Sequence, residues 1–177
     1  MLPTLETNRL RLRPPEKSDL QDIYRLGSSP AVMKYISRGK TQSFEEAKAD
    51  LEKRIRLSGN RYGYWILEEK ELDQFIGWLA LKPLDNTNEI EIGYRFLEEM
   101  WGNGYATEGS RRLLTYAFKE LQLKKVVAIA MEENRASTRV MEKLGMRFQG
   151  YGTYYNVKCV RYCILREEFE ALSVKRI

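Results

Sequence analysis

The sequence predicts an α+β, or mixed α/β, fold: a central, twisted, mostly antiparallel sheet of about seven strands flanked by about four helices. Three observations point there. Runs rich in aromatic and branched residues at 62–67, 75–81 and 89–96 succeed one another across short polar breaks, as antiparallel strands do. Residues 126–131, Val-Val-Ala-Ile-Ala-Met, are apolar without alternation, which suits a central strand covered on both faces. A glycine-broken turn and a long amphipathic segment lie between these two regions, giving one parallel strand–helix–strand crossover.

In chain order, Arg9-Leu10-Arg11-Leu12-Arg13 alternates as a half-buried strand does and is ended by Pro14-Pro15. Ser18 or Asp19 then caps a short helix through Leu20, Ile23, Tyr24 and Leu26. A second helix starts at Ser43, where Glu46 completes a capping-box pattern and Phe44, Ala47, Leu51 and Ile55 share a face; it ends near Ser58-Gly59-Asn60. The charged connector 68–73 makes a hairpin of the first two aromatic runs, and Asp85-Asn86-Thr87-Asn88 turns the chain into the third. There Ile90, Ile92, Tyr94 and Phe96 lie on one face, and Glu89, Glu91, Gly93 and Arg95 on the other. The helix after the glycine turn spans 105–121, with Leu113, Leu114, Ala117, Phe118 and Leu121 as its buried stripe. Asn134 caps another through Val140, Met141 and Leu144, stopped by Gly145. Strands at 147–149 and 158–165 close the fold, joined by a loop over 150–156 that carries Tyr151, Tyr154 and Tyr155. The second of them is an exposed late strand, able to pair between subunits or to stay an edge, so a monomer and a homodimer are both open.

With 177 residues, 43% of them hydrophobic, and no linker, repeat or low-complexity tract, one domain over 1–177 is expected. The first 14 residues hold Glu6, Arg9, Arg11 and Arg13 and no apolar run, so neither a secretory signal nor a membrane span is indicated and the cytoplasm is the expected location. Lys and Arg number 30 against 25 Asp and Glu; the net charge of +5 favours an anionic small ligand, without the like-charge blocks of a nucleic-acid tail. Cys159 and Cys163 would stand ~13 Å apart on a strand rising about 3.3 Å per residue, too far to bridge. Histidine is absent, which removes Ser–His and Cys–His nucleophile systems and His-based metal sites, and no metal is expected. A general base must therefore be Glu, Asp, Tyr, Lys, Cys or a water held by one of them.

The stretch Met100-Trp101-Gly102-Asn103-Gly104-Tyr105-Ala106-Thr107-Glu108 is where the chemistry converges. Its glycines allow a tight turn with consecutive N–H groups exposed, and the following helix aims its unpaired amides and positive dipole end into the same space. That makes a seat for a phosphate or pyrophosphate. The pattern lacks the Lys-Ser/Thr tail of a phosphate loop and the third glycine of a dinucleotide fingerprint.

The ordered runs Glu91-Ile92-Gly93-Tyr94, Trp101 to Glu108, and Asn134-Arg135-Ala136-Ser137-Thr138-Arg139-Val140-Met141-Glu142-Lys143-Leu144-Gly145 resemble the GNAT superfamily of acyl-CoA-dependent N-acyltransferases. Together with Thr7-Asn8-Arg9-Leu10-Arg11-Leu12-Arg13 they are most similar to its Rim-type ribosomal-protein N-terminal acetyltransferases. The likeness covers roughly residues 5–165. It implies a GNAT-like fold with one parallel, splayed strand pair, acetyl-CoA as co-substrate, and a primary amine as acceptor: a protein N-terminus, ribosomal or other, or a small molecule. By position, the resemblance gives the CoA pyrophosphate to the amides of Trp101, Gly102, Asn103, Gly104, Tyr105, Ala106 and Thr107, Trp101 standing where the superfamily usually has Gln or Arg. It gives the pantothenate arm to the main chain of Tyr94, Arg95 and Phe96. Asn134, besides capping its helix, could reach the pantetheine carbonyls through its amide NH2. Many members protonate the departing thiolate with a tyrosine on that helix; Met141 stands there, and Ser137, one turn earlier, matches the serine given the role in the Rim-type branch.

An amine attacks only when neutral, and an α-amine of pKa about 7.7–8.0 loses its proton far more readily than an alkylammonium near ~10.4. Glu91 is the candidate base, acting through water; the alternatives are a solvated strand charge or an orienter of the substrate ammonium. Ser137 is a candidate hydrogen-bond donor to the thiolate, or simply a first-turn helix serine. Two other functions fit the same features, a CoA-binding or sensing protein without turnover and a polyamine or antibiotic acetyltransferase.

Overall fold

The computed structural model describes residues 2–59 and 61–174, so the expected helix stop at Asn60 falls partly outside the described residues. Its strands are β1 (Leu5–Glu6), β2 (Leu10–Arg13), β3 (Gly63–Glu69), β4 (Gln74–Pro83), β5 (Ile90–Phe96), β6 (Lys125–Ala130), β7 (Arg147–Tyr154) and β8 (Val157–Leu165). The helices are α1 (Leu20–Ser28), α2 (Pro30–Met33), α3 (Phe44–Leu57), α4 (Tyr105–Thr115), α5 (Arg135–Lys143) and α6 (Arg166–Val174). The strands form one sheet in the order β1-β2-β3-β4-β5-β6-β8-β7. Every neighbouring pair is antiparallel except β5 with β6.

The period of two along each strand divides the apolar side chains between two cores. Trp65 and Leu67 of β3, Leu79 and Leu81 of β4, and Ile92 and Phe96 of β5 meet Leu113, Leu114 and Phe118 of the α4 region on one face. Tyr64, Ile66, Trp78 and Ala80 meet Ile23, Leu26, Ala47 and Leu51 of α1 and α3 on the other. Gly109 lets α4 lie directly on the sheet: a Cβ there would come within 2.8 Å of Leu79 Cδ1 and 3.1 Å of Leu67 Cδ2.

Several sequence expectations hold as stated. Ser43 and Glu46 form the reciprocal capping box that starts α3. Asn134 caps α5 by accepting from Ser137 N at 3.3 Å. Both cysteines are free thiols.

Others need correction. Asp19 does not cap α1 with its side chain; it is 4% exposed and bound to Arg13 Nη1 at 3.0 Å and Nη2 at 2.6 Å, an ion pair stronger than a cap. The 105–121 helix keeps α geometry only to Thr115 and widens to a π turn over Tyr116–Glu120. The short elements β1, α2 and α6 were not foreseen. The 150–156 segment is mostly strand: β7 continues to Tyr154 through a register shift between Phe148 and Tyr151, where Gly150 has φ +106°. The turn into β8 is the pair Tyr155 and Asn156, with φ +50° and +61°. Consequently β8 is an interior strand between β6 and β7, and β7 forms the edge.

Candidate active site

The single parallel pair opens the sheet. β5 and β6 meet at one paired position, Glu91 opposite Val127, whereas β4 and β5 pair at seven positions and β6 and β8 at six. Past Glu91 the strands diverge. Leu97 N donates to Ile76 O at 3.0 Å, so antiparallel alternation turns the Arg95 main chain toward β4 and the Tyr94 and Phe96 main chains into the gap. Phe96 O accepts there from Trp101 Nε1 at 3.0 Å.

At the mouth of the gap the chain turns on Gly102 (φ +79°) and Gly104 (φ +80°). Gly104 is the α4 N-cap and supplies no side-chain cap, and the first helical bond is Glu108 N to Gly104 O at 3.0 Å. The N–H groups of Tyr105, Ala106 and Thr107 therefore lack a helical acceptor, the state in which a helix start binds an anion. The turn is held from behind. Arg9 donates through Nε to Glu108 Oε2 (2.7 Å) and through Nη1 to Asn103 O (3.1 Å), while its guanidinium lies 4.6 Å from the Tyr105 ring centroid. Thr7 Oγ1 donates to Glu108 Oε1 at 2.6 Å. Burial opposes ionisation of Glu108, but the bonds from Thr7 and Arg9 outweigh it and hold the carboxyl below its usual range.

The gap and the turn form one cleft of about 660 Å³ between α2, β5, the glycine turn and α5. Its lining includes four basic residues, Lys34, Arg95, Arg139 and Lys143, and no Asp or Glu among the described residues. Such a cleft attracts polyanions. On its inner wall Tyr94 Oη lies 3.1 Å from Ser137 Oγ, and burial pushes the Tyr94 phenol up to about 12, so both hydroxyls stay protonated at neutral pH.

Glu91 is 5% exposed and is not among the residues lining this cleft. Its Oε1 accepts from Lys82 Nζ and from Tyr155 Oη, the latter at 2.7 Å. Tyr155 Oη accepts in turn from Lys82 Nζ (2.6 Å) and Asp85 N (2.8 Å), and Asp85 Oδ2 accepts from Tyr155 N at 2.9 Å. Burial first, and then the bond to Glu91, push the Tyr155 phenol up. Oε2 of Glu91 is bound by none of the described residues. Glu89, two residues earlier, accepts from Lys125 (2.6 Å) and Arg161 (2.7 Å), tying β5, β6 and β8 together below the divergence.

The family model for the acetyltransferase (GNAT) domain matches residues 9–147, most of the chain. The chain belongs to the GNAT acetyltransferase family. The N-acetyltransferase YnaD of Bacillus subtilis (strain 168), itself uncharacterized, is 33% identical over 175 residues, covering 93% of this chain and 98% of its own. The FsC-acetyl coenzyme A-N(2)-transacetylase of Aspergillus fumigatus is 33% identical over 186 residues, covering 94% of this chain and 78% of its own. A solved acetyltransferase (GNAT family) from Bacillus anthracis superposes with a TM-score of 0.81 at 29% identity, covering 93% of this chain and 99% of the other. The protein is thus an N-acetyltransferase, and acetyl-CoA is its co-substrate.

Of the residues expected to serve this GNAT enzyme, Tyr94, Arg95, Phe96, Trp101, Gly102, Gly104, Tyr105, Ala106, Thr107, Asn134 and Ser137 all line one cleft, but the main chain of Arg95, the part expected to meet the pantothenate arm, is turned toward β4 instead. Asn103 does not; its side chain closes the turn by donating to Met100 O (3.2 Å) and Trp101 O (3.3 Å). Three features escaped sequence reasoning. The Thr7–Arg9–Glu108 clamp joins residues about a hundred positions apart. The Tyr94–Ser137 hydroxyl pair depends on how closely α5 approaches β5. The Lys82–Glu91–Tyr155 cluster depends on the β7–β8 hairpin returning over β4. A basic residue in register with Glu91 on the neighbouring strand was the only local signal, because Lys82 is its pairing partner. Among the described residues no group of His, Cys, Asp or Glu could hold a metal, and no helix is long and apolar enough to cross a membrane.

Proposed function

We propose that this acetyltransferase modifies an α-amine at a protein or peptide N-terminus, as the Rim-type resemblance implies. The observation that carries this reading is the composition of the cleft: four basic residues, and no carboxylate among its described lining residues. A polyamine or aminoglycoside would bring several positive charges into a positive cleft, at a Coulombic cost that one neutral α-amine avoids.

In this reading the amides of Gly102 and Tyr105 to Thr107 receive the CoA pyrophosphate, with Arg139 and Lys143 adding positive charge. The N–H and C=O groups of Tyr94 and Phe96 that point into the gap pair with the pantothenate arm, supported by the amide of Asn134, whose oxygen is already used in the cap. Acetyl-CoA supplies a thioester, whose carbonyl carbon the neutral amine attacks. Main-chain N–H groups of β5 stabilise the oxyanion. Ser137, oriented by Tyr94, donates a hydrogen bond to the departing thiolate. Glu91, anchored through Oε1, takes the proton of the amine through a water at Oε2.

The experiment is release of free CoA from acetyl-CoA against peptides beginning with Ala, Ser, Met or Thr, beside spermidine and an aminoglycoside. Preference for the peptides supports the reading. Turnover of spermidine alone overturns the acceptor, and acetyl-CoA binding without turnover of any amine supports a CoA sensor instead.

A further inference from the structure

Of the four basic residues lining the cleft, Lys34 and Arg95 are not used by acetyl-CoA in this reading, and Lys34 is exposed to solvent whereas Arg95 is not. Arg95 lines the cleft, yet its guanidinium makes no ion pair or hydrogen bond with any described residue; its Nε is buried without an acceptor. It lies against the Trp78 ring, whose centroid is 5.2 Å from Cζ, and feels the Asp50 charge only from beyond ion-pair distance. Arg54 lies against the same ring at 4.1 Å. Arg54 is 5% exposed and paired with Asp50 through Nε (3.0 Å) and Nη2 (2.8 Å), but its Nη1 is also buried without an acceptor. Two guanidinium groups thus share one carboxylate. Burial, and then the neighbouring Arg54, push Arg95 down to about 10, so it keeps its charge at neutral pH.

A buried guanidinium Nε without an acceptor carries a desolvation cost that the Trp78 ring and the more distant Asp50 charge return only in part. A carboxylate is what returns the rest, since its two oxygens match the guanidinium edge. The face of the sheet indicates which carboxylate. Arg95 pairs across the strands with Trp78, which belongs to the α1 and α3 core, so it leaves β5 on the face opposite the α4 amides.

We infer that Arg95 recognises a carboxylate carried by the acceptor, making this an acetyltransferase for amines with an acidic group close to the reacting nitrogen. The inference rests on the acceptor reading above. The carboxylate could be an acidic side chain near a peptide N-terminus or the α-carboxylate of a free amino acid, and the two sources separate experimentally.

The test compares kcat/KM for isosteric pairs: a peptide beginning Ala-Asp against Ala-Asn, and alanine against alaninamide. Wild type is expected to favour the acidic member of at least one pair tenfold or more, and that pair identifies the source. Arg95→Gln brings the ratio toward one, mainly through a higher KM for the acidic acceptor, and Arg95→Lys restores part of it. Equal use of both members by wild type overturns the inference, as does an Arg95→Gln defect shared equally by both or confined to the KM for acetyl-CoA. If no amine is acetylated, the acceptor reading fails, and titration of the Ala-Asp and Ala-Asn peptides into the CoA-saturated protein decides this one. At least tenfold tighter binding of Ala-Asp, lost in Arg95→Gln, upholds carboxylate recognition; equal affinity overturns it.

Discussion

Replacing Tyr155 by Phe isolates the cluster around Glu91 with little change of shape. The hydroxyl donates to Glu91 Oε1 at 2.7 Å and accepts from Lys82 Nζ at 2.6 Å and Asp85 N at 2.8 Å. Asp85 N lies where water can replace the lost acceptor, and Lys82 still holds Glu91. The main loss is one bond to a buried carboxylate, for which bonds to charged groups suggest about 2 kcal/mol. The native backbone supports a network of this size, because a bulky residue at φ +50° costs on the order of 1–2 kcal/mol that the hydroxyl bonds must offset. For a chain of this length about 2 kcal/mol corresponds to a fall of roughly 4–8 °C in Tm. The sign with pH follows from the raised phenol. A folded pKa above the unfolded value of about 10 gives stability that is complete below pH ~10 and is lost as pH rises further toward the folded value. Calorimetry of both proteins at pH 7.5 and above pH 10 should therefore show the gap between them narrowing at alkaline pH. A Tyr155→Phe protein that melts within a degree of wild type at pH 7.5 would refute the assignment.

Glu91→Gln should lower kcat/KM for a peptide α-amine by about 10²-fold at pH 7, within the usual range for loss of a general base, and recover much of it by pH 9, where the amine is already neutral. An equal deficit at both pH values would show that Glu91 only orients the acceptor. Ser137→Ala should reduce kcat by roughly tenfold with little change in the KM for acetyl-CoA, since the hydroxyl acts on the departing thiolate; a defect confined to that KM would contradict the role. Gly104→Ala adds a Cβ with room around it, the nearest atom being Arg9 Nη2 at 3.6 Å, but forces a side chain onto φ +80°. It should cost about 1 kcal/mol in denaturant unfolding and raise the KM for acetyl-CoA, and unchanged unfolding would show that the turn can relax.

What the sequence made legible is what local chemistry controls. Alternation in residues 9–13 and the unbroken apolar run after Lys125 identified a half-buried and a central strand, and Ser43–Glu46 and Asn134 marked helix starts, because each feature acts within one turn or one pleat. The glycine turn was legible for the same reason. The tyrosine-rich hairpin was obscured because Gly150 read as the start of a loop, although it sits at a bulge inside β7. Asp19 looked like a cap because nothing nearby in sequence reveals that Arg13 claims its carboxylate. Glu91 read as an exposed strand charge or a catalytic one; that it is buried beneath Lys82 and Tyr155 depends on a contact between residues 64 positions apart. The unfilled Nε of Arg95 is invisible to any local pattern, since an unfilled donor appears only once every neighbour is in position.

In the proposed binding mode acetyl-CoA lies along the diverging edge of β5 and ends on the uncapped start of α4. Titration of acetyl-CoA into the 15N-labelled protein, followed amide by amide, tests it most directly. The largest shifts are expected at Tyr94, Phe96, Gly102 and Tyr105 to Thr107, with the Arg95 amide, turned toward β4, moving less than either neighbour. Shifts centred elsewhere, with the first turn of α4 unmoved at saturation, would contradict it.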